Sequence, residues 1–309
     1  MLRTFLLTLG IFLAVLFLIS QVSLRQIQRS YPHTGSFVSV DGLDLHYVRA
    51  GNGPPVVLLH GRDGALQEYT LSIFDELALT YDVTAFDRPG YGHSGWPQHA
   101  ELSLEVQVAL LRQAIETLNI EKPLLVGHSY GGAVALRYAL DYPEDVRNVV
   151  LLAPTSFMEE PPDGAFFLIP RIPVLGPLLT HTLLLPLGSQ LAPRIYEQAF
   201  HPAPAPPEYV ETMSALYLRP ANFTATAGEL AVMQDSLQAV SRKYGQIEMP
   251  VTVVFGTADR MVDFAQDGQQ LVESLPNARL VAVEGAGHKV HYTHPKIVIQ
   301  AIRDAVEGY

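Results

Sequence analysis

Ser129, Asp259 and His288 are the residues of this 309-residue chain whose types and settings could together do nucleophilic chemistry. Ser129 sits in "LLVGHSYGGAVAL", between two glycines at the junction of two apolar runs. Small residues also fill tight turns for packing reasons alone, so the motif by itself is weak. Its context is stronger: a strand before and a helix after would hold the serine on a strained turn at the carboxyl end of a sheet. The helix amino terminus there favours developing negative charge. A serine hydroxyl is a poor nucleophile at neutral pH unless a base takes its proton and an acid orients that base. "VTVVFGTADRMV" offers Asp259 just past an apolar run, and "LVAVEGAGHKVHYTHP" offers His288 just past another. The order Ser, Asp, His is that of the nucleophile-elbow architecture. Asp263 is the reserve candidate for the acid.

Other residues invite competing chemistry. His60 reads as a buried, hydrogen-bonded structural group. His128 points away from a normal elbow, though it can line the pocket. His291 and His294 lie close to His288, but no convergent carboxylate set at ligand spacing accompanies them, so no metal and no cofactor are expected. The stretch "DRPGYGHSG", which carries His93, is glycine-rich but lacks the spacing and the lysine of a phosphate loop. There is no cysteine, which excludes disulfides, zinc-thiolate sites and a cysteine nucleophile. The formal net charge of -11 argues against a nucleic-acid partner.

The elements that must position these residues follow from apolar periodicity. "SFVSVDGLDLHYV" reads as a hairpin about Asp41-Gly42. "VVLLH", "DVTAF", "LLV", "VRNVVLLAP", "PVTVVFG" and "ARLVAVEG" read as further strands, several apolar enough to be buried on both faces. Helical spacing covers about Gln67–Leu79, Leu102–Leu118, Tyr130–Leu140 and Pro295–Val306. A hairpin followed by strand-helix units predicts a mostly parallel sheet covered by helices. The rhythm stops between Ala153 and Met249. Thirteen of the 23 prolines fall from Pro154 to Pro220, yet leucine is dense there. That is too apolar for a disordered tail. It is also too proline-broken for a second membrane span, and Arg171 lies within it. The expectation is a helical insertion packed on the end of the sheet.

At the amino terminus no charge occurs between Arg3 and Arg25. As a helix those residues would span ~31 Å, one hydrocarbon core. No small-x-small cleavage signature follows, so a membrane anchor is preferred over a secretory signal peptide. Arg3 lies on one side of the run and Arg25 and Arg29 on the other, so charge does not fix the orientation. A basic start before an apolar segment favours a domain outside the cytoplasm, periplasmic or extracellular, with secretion after cleavage as the alternative.

Taken together, "LLHGRDG", "FDRPGYGHSG", "VGHSYGG", "GTADRMV" and "GAGHKVHYTHP" resemble the α/β-hydrolases of the epoxide-hydrolase-like, haloperoxidase-like and carbon–carbon-bond hydrolase group. The resemblance runs from about Ser36 to Tyr309. It implies an eight-stranded α/β sheet with helices on both faces and a helical cap after the sixth strand. The domain division expected is an anchor or signal segment at 1–25, a polar linker at 26–36, a core at 37–153 and 250–309, and a cap at 154–249. It implies Ser129 as nucleophile, His288 as general base and then acid, and Asp259 as its orienting acid. It also implies an oxyanion hole from the backbone N–H groups of Arg62 and Tyr130. Epoxide hydrolases and haloalkane dehalogenases of this group carry aspartate at the elbow, so the serine disfavours those activities. Arg62 and Asp63 are expected at the mouth of the site, as an intramolecular pair or as a polar gate.

The activity expected is hydrolysis of an ester of a small lipophilic substrate through an acyl-enzyme, as in carboxylesterases and lipases. Carbon–carbon, amide or lactone hydrolysis and perhydrolysis use the same triad. A non-catalytic ligand-binding protein on this scaffold is the alternative of another class. The sequence sets no oligomeric state.

Overall fold

A computed structural model describes residues 1–62, 64–96, 102–158 and 169–308. Eight strands form one sheet: β1 (Ser36–Val40), β2 (Leu43–Ala50), β3 (Pro55–Leu59), β4 (Asp82–Phe86), β5 (Leu124–His128), β6 (Val149–Leu152), β7 (Val251–Gly256) and β8 (Ala278–Val283). Their spatial order is β1-β2-β4-β3-β5-β6-β7-β8. The β1–β2 and β2–β4 pairs are antiparallel and all others parallel. This is the α/β-hydrolase sheet that the sequence leads one to expect.

Alternation along the central strands feeds two cores. Val57, Leu59, Leu125, Leu151 and Val253 face one side. Val56, Leu58, Val126, Val150 and Val254 face the other. Of the helices, α1 is Leu2–Ser30, α2 Gln67–Thr70, α3 Phe74–Ala78, α4 Leu104–Thr117 and α5 Tyr130–Asp141. The first core is closed by α4 and α5. The second is closed by α2 and α3 together with the carboxyl-terminal helix. The single helix expected over Gln67–Leu79 is two short ones. Ser72 Oγ donates to the carbonyls of Glu68 and Tyr69 at 2.7 and 3.3 Å, competing with the helical ladder at the break.

Between β6 and β7 lie α6 (Leu175–Thr182), α7 (Leu184–Phe200), α8 (Pro207–Tyr217) and α9 (Pro220–Ser241). Pro207 and Pro220 open their helices, where a missing N–H is harmless. Tyr196, Phe200, Tyr209, Met213, Leu216 and Phe223 bury together as the core of this insertion. After β7 and a π-helical turn come α10 (Leu271–Ser274), α11 (Val290–Thr293) and α12 (Pro295–Glu307).

The polar stretch expected as a linker from residue 26 is helical as far as Ser30. Leu24, Ile27 and Tyr31 pack on the core of the insertion, which holds those turns in place. The helix ends just before Pro32, which disfavours helical geometry in the residue ahead of it. Ser20 Oγ donates to the Thr182 carbonyl at 3.0 Å. Among the described residues, α1 is the one helix long and apolar enough to cross a membrane by length and composition.

Candidate active site

Ser129 occupies the corner between β5 and α5 with φ 51° and ψ −123°. That backbone is strained for any residue with a Cβ. The corner is pinned from both sides. Ser129 N donates to the Leu152 carbonyl at 3.0 Å, and the Ser129 carbonyl accepts from Gly132 N at 2.9 Å and Thr155 N at 3.0 Å. The flanking glycines are a steric requirement. A Cβ on Gly127 would lie 2.3 Å from the Gly131 oxygen, and one on Gly131 would lie 2.2 Å from the Leu59 oxygen. A serine stands between two glycines here because β5, α5 and β3 approach each other closely enough to exclude a methyl group at either place.

The two later segments reach the same edge of the sheet. His288 Nδ1 lies 2.8 Å from Asp259 Oδ2. The other carboxylate oxygen accepts from Met261 N at 2.7 Å and Val262 N at 3.1 Å, which fixes its direction. Asp263, the reserve acid, caps the following turn by accepting from Gln266 N at 2.9 Å. A cavity of about 340 Å³ is lined by Ser129, His288, Tyr130 and Arg62, with Met233 and Ile195 contributed by the insertion. Ser129, Tyr130, Arg62 and His288 thus line one cavity, and Asp259 reaches it through its bond to His288. One guanidinium nitrogen of Arg62 sits 4.0 Å from the Met233 sulfur, so this side chain reaches α9. Asp63 lies outside the described residues.

The remaining histidines divide as follows. His60 is buried, with Nδ1 2.7 Å from the Gly61 carbonyl and Nε2 accepting from Arg88 N at 2.9 Å. Burial, aided by the Arg88 charge, pushes it down to about 4. His93 is likewise lowered to about 4 by burial and by Arg219. His294 Nδ1 lies 2.9 Å from the Thr293 hydroxyl.

Beneath the cavity is a feature with no sequence signal. Glu68, on α2, is fully buried. Its Oε1 receives Lys289 Nζ at 2.9 Å and lies 2.5 Å from His128 Nδ1 and 3.2 Å from His291 Nε2. Its Oε2 accepts from Gly61 N at 3.2 Å. Burial alone would raise this carboxyl, but the His128 ring and the Lys289 ammonium outweigh it and hold it well below the usual carboxylate range. His128 Nε2 is 3.2 Å from the His288 carbonyl, and the two rings stand 4.6 Å apart. One carboxylate therefore ties together the Gly61–Arg62 loop, the residue before Ser129 and the residue after His288.

Donor atoms of Glu68, His128 and His291 lie within 4.8 Å of one another, a spacing that could hold a metal ion. The Lys289 ammonium already places a positive charge on the shared Glu68 oxygen. Lys289 Nζ and Gly61 N donate to the Glu68 carboxylate, whereas His128 Nδ1 and both ring nitrogens of His291 are buried beside it without a well-formed hydrogen bond.

An eight-stranded sheet of this order with a serine corner after β5 defines a class, and comparison with known proteins agrees. Residues 54–295 match the family described as alpha/beta hydrolase fold, and the chain belongs to it. Over 122 residues it is 38% identical to the dihydrolipoyllysine-residue acetyltransferase component of the acetoin cleaving system of Cupriavidus necator. That match covers 39% of this chain and only 32% of the relative. It is 27% identical to the Homo sapiens 1-acylglycerol-3-phosphate O-acyltransferase ABHD5 over 285 residues, covering 82% of this chain and 77% of the relative. The solved structure of a membrane phospholipase A, described as a bacterial virulence factor, superposes with a TM-score of 0.72 at 22% identity. That superposition spans 99% of this chain and 97% of the other, a likeness of fold.

Proposed function

We propose that this protein is a serine hydrolase that cleaves an ester of a lipophilic substrate, with Ser129 as nucleophile, His288 as base and Asp259 as the orienting acid. The observation that carries the reading is the strained Ser129 corner opening on the same cavity as a His288 ring bonded to Asp259 at 2.8 Å. Ser129 Oγ attacks the acyl carbon while His288 Nε2 takes its proton. Asp259 accepts from Nδ1–H and stabilises the imidazolium that forms. The Arg62 and Tyr130 N–H groups receive the developing oxyanion, where loss of one donor typically costs on the order of a hundredfold in rate. His288 then protonates the departing alcohol, and water activated by the same ring releases the acid.

The core is 37–153 with 250–309, and the insertion 154–249 is its cap. The apolar stretch of α1 anchors the protein in a membrane, with the catalytic domain outside the cytoplasm. An acyltransferase among the relatives supports a second reading, in which another hydroxyl replaces water at the same acyl-enzyme.

The test is turnover of p-nitrophenyl esters of increasing acyl length by the full chain in detergent micelles. The whole chain is needed because α1 packs on the cap. Turnover that disappears in Ser129→Ala supports the reading; esters left intact by folded protein refute it. Adding a long-chain alcohol and analysing products separates hydrolysis from transfer.

A further inference from the structure

The cap holds a second cavity of about 350 Å³, walled by Leu179, Leu183, Leu184, Leu187, Leu191 and Ile195. Ile195 also lines the cavity at Ser129, so the two spaces meet at that side chain. Leu187 and Leu191 are 54% and 50% exposed and mark the outer mouth. The surface beside it is apolar: on and before α6, Ile172, Val174, Leu175 and Leu178 are exposed, Val174 by 85%. Isolated surface leucines need no explanation, but a contiguous patch beside a cavity mouth does.

The placement of α1 says what covers that patch. On α1, Leu13, Leu16, Ser20, Leu24 and Ile27 are partly or wholly covered, three or four residues apart, so one helix face is packed from Leu13 onward. α6 is among its packing partners, with Ser20 bonded to the end of α6 at Thr182. The exposed residues of α6 therefore stand beside the apolar length of α1. When α1 spans a bilayer, the packed half of its apolar run carries this face of the cap into contact with the membrane.

We infer that the cap cavity is an acyl-chain subsite that fills from the bilayer. A long-chain ester dissolved in the membrane passes its chain through the Leu187–Leu191 mouth and lays its carbonyl at Ser129, beyond Ile195. The inference rests on the proposed nucleophile and adds the substrate class and its route. A chain of methylenes suits walls that offer almost no polar partner, since each buried CH₂ adds to binding.

The test uses the full chain reconstituted in phosphatidylethanolamine–phosphatidylglycerol vesicles. p-Nitrophenyl dodecanoate is dissolved in the bilayer and p-nitrophenyl acetate in the water. Val174→Glu/Leu178→Glu, on the outer face, is expected to lower dodecanoate turnover about tenfold or more while acetate turnover stays at the wild-type level. Leu187→Glu, at the mouth, is expected to lower the dodecanoate-to-acetate ratio by a similar factor. Acetate turnover reports that each variant is folded. Wild-type dodecanoate rates in both variants, or a wild-type preference for acetate, overturn the subsite and leave the hydrolase reading standing. Absence of turnover on either ester in the wild type overturns both.

Discussion

Glu68 and Lys289 form a buried ion pair of 2.9 Å on the floor of the cavity, one residue along the chain from His288. The same carboxylate holds Gly61 N, next to the Arg62 N–H proposed for the oxyanion. Removing it leaves a buried ammonium without a partner and releases the Gly61–Arg62 loop. Glu68→Ala is expected to cost about 3–5 kcal/mol of stability. Glu68→Leu with Lys289→Met removes both charges and is expected to regain much of that stability. If Glu68 is a positioning residue, the double variant still has lowered kcat with little change in KM, because the loop remains untethered. Urea unfolding together with steady-state kinetics decides it: wild-type kcat in a refolded double variant reduces the carboxylate to a purely structural part.

The Ser129 backbone separates fold strain from chemistry. At φ 51° and ψ −123° a glycine is relaxed where any side chain is strained. Ser129→Gly is therefore expected to stabilise the fold by about 1–2 kcal/mol. Ser129→Ala keeps a Cβ and the strain, so its stability should stay near that of the wild type. Thermal melting of the two variants side by side measures the difference, expected at about 2–4 °C per kcal/mol for a chain of this size. Equal melting temperatures would mean that the corner stores no strain.

The corner and its partners were legible in the sequence because each follows a short apolar run. Such runs mark strands buried on both faces, and parallel strands deliver their carboxyl ends to one edge. Glycines 127 and 131 carried the same message, since close approach leaves a compositional trace. Glu68 left none: a polar residue in a short helix looks like a surface residue until Lys289 and His291, more than two hundred positions later, are folded against it. His291 was visible only as a neighbour of His288, and its carboxylate partner was not. The insertion was recognisable as proline-rich and apolar but not divisible. Prolines there open helices α8 and α9, while Pro193 sits inside α7, so proline alone could not mark the boundaries. The linker expectation failed for a related reason. Polar residues at 26–30 stay helical because their neighbours Leu24, Ile27 and Tyr31 pack on the insertion.

The insertion between β6 and β7 is tied to the sheet by charge. Arg88 Nη1 donates to Glu229 Oε2 on α9 at 2.6 Å, and Tyr91 and Gln107 donate to the same carboxylate at 2.9 and 3.1 Å. Arg88 also donates to the carbonyls of His60 and Gly61. Arg88 and Glu229 are both buried. Glu229→Ala is expected to destabilise by about 3–5 kcal/mol, since the Arg88 charge loses its partner. Arg88→Met/Glu229→Leu should recover most of the loss, as an apolar pair of similar volume often does. Urea midpoints for the single and double variants check this. A loss under about 1 kcal/mol in Glu229→Ala, the range of a solvated ion pair, would show that water reaches the site.

Buried neutral histidines set the response to acid. His60 titrates at about 4 when folded, against an ordinary 6.5. Between those values the unfolded chain binds a proton that the folded chain refuses. Stability is therefore flat above pH 7 and falls as pH drops from 6.5 towards 4. His60 alone accounts for a loss on the order of 3 kcal/mol across that window. Burial lowers His128 and His291 too, so they add to the same slope. Glu68, held low when folded, adds a further loss as pH falls through the ordinary carboxylate range and below. His60→Gln can keep a donor for the Gly61 carbonyl and an acceptor for Arg88 N without a titrating ring. Its urea midpoint, followed from pH 7.5 to 4.5, is expected to fall less steeply than that of the wild type by about one proton's worth of slope, ~1.4 kcal/mol per pH unit. Parallel curves would mean that His60 takes up its proton over the same pH range folded as unfolded, so that burial does not lower it.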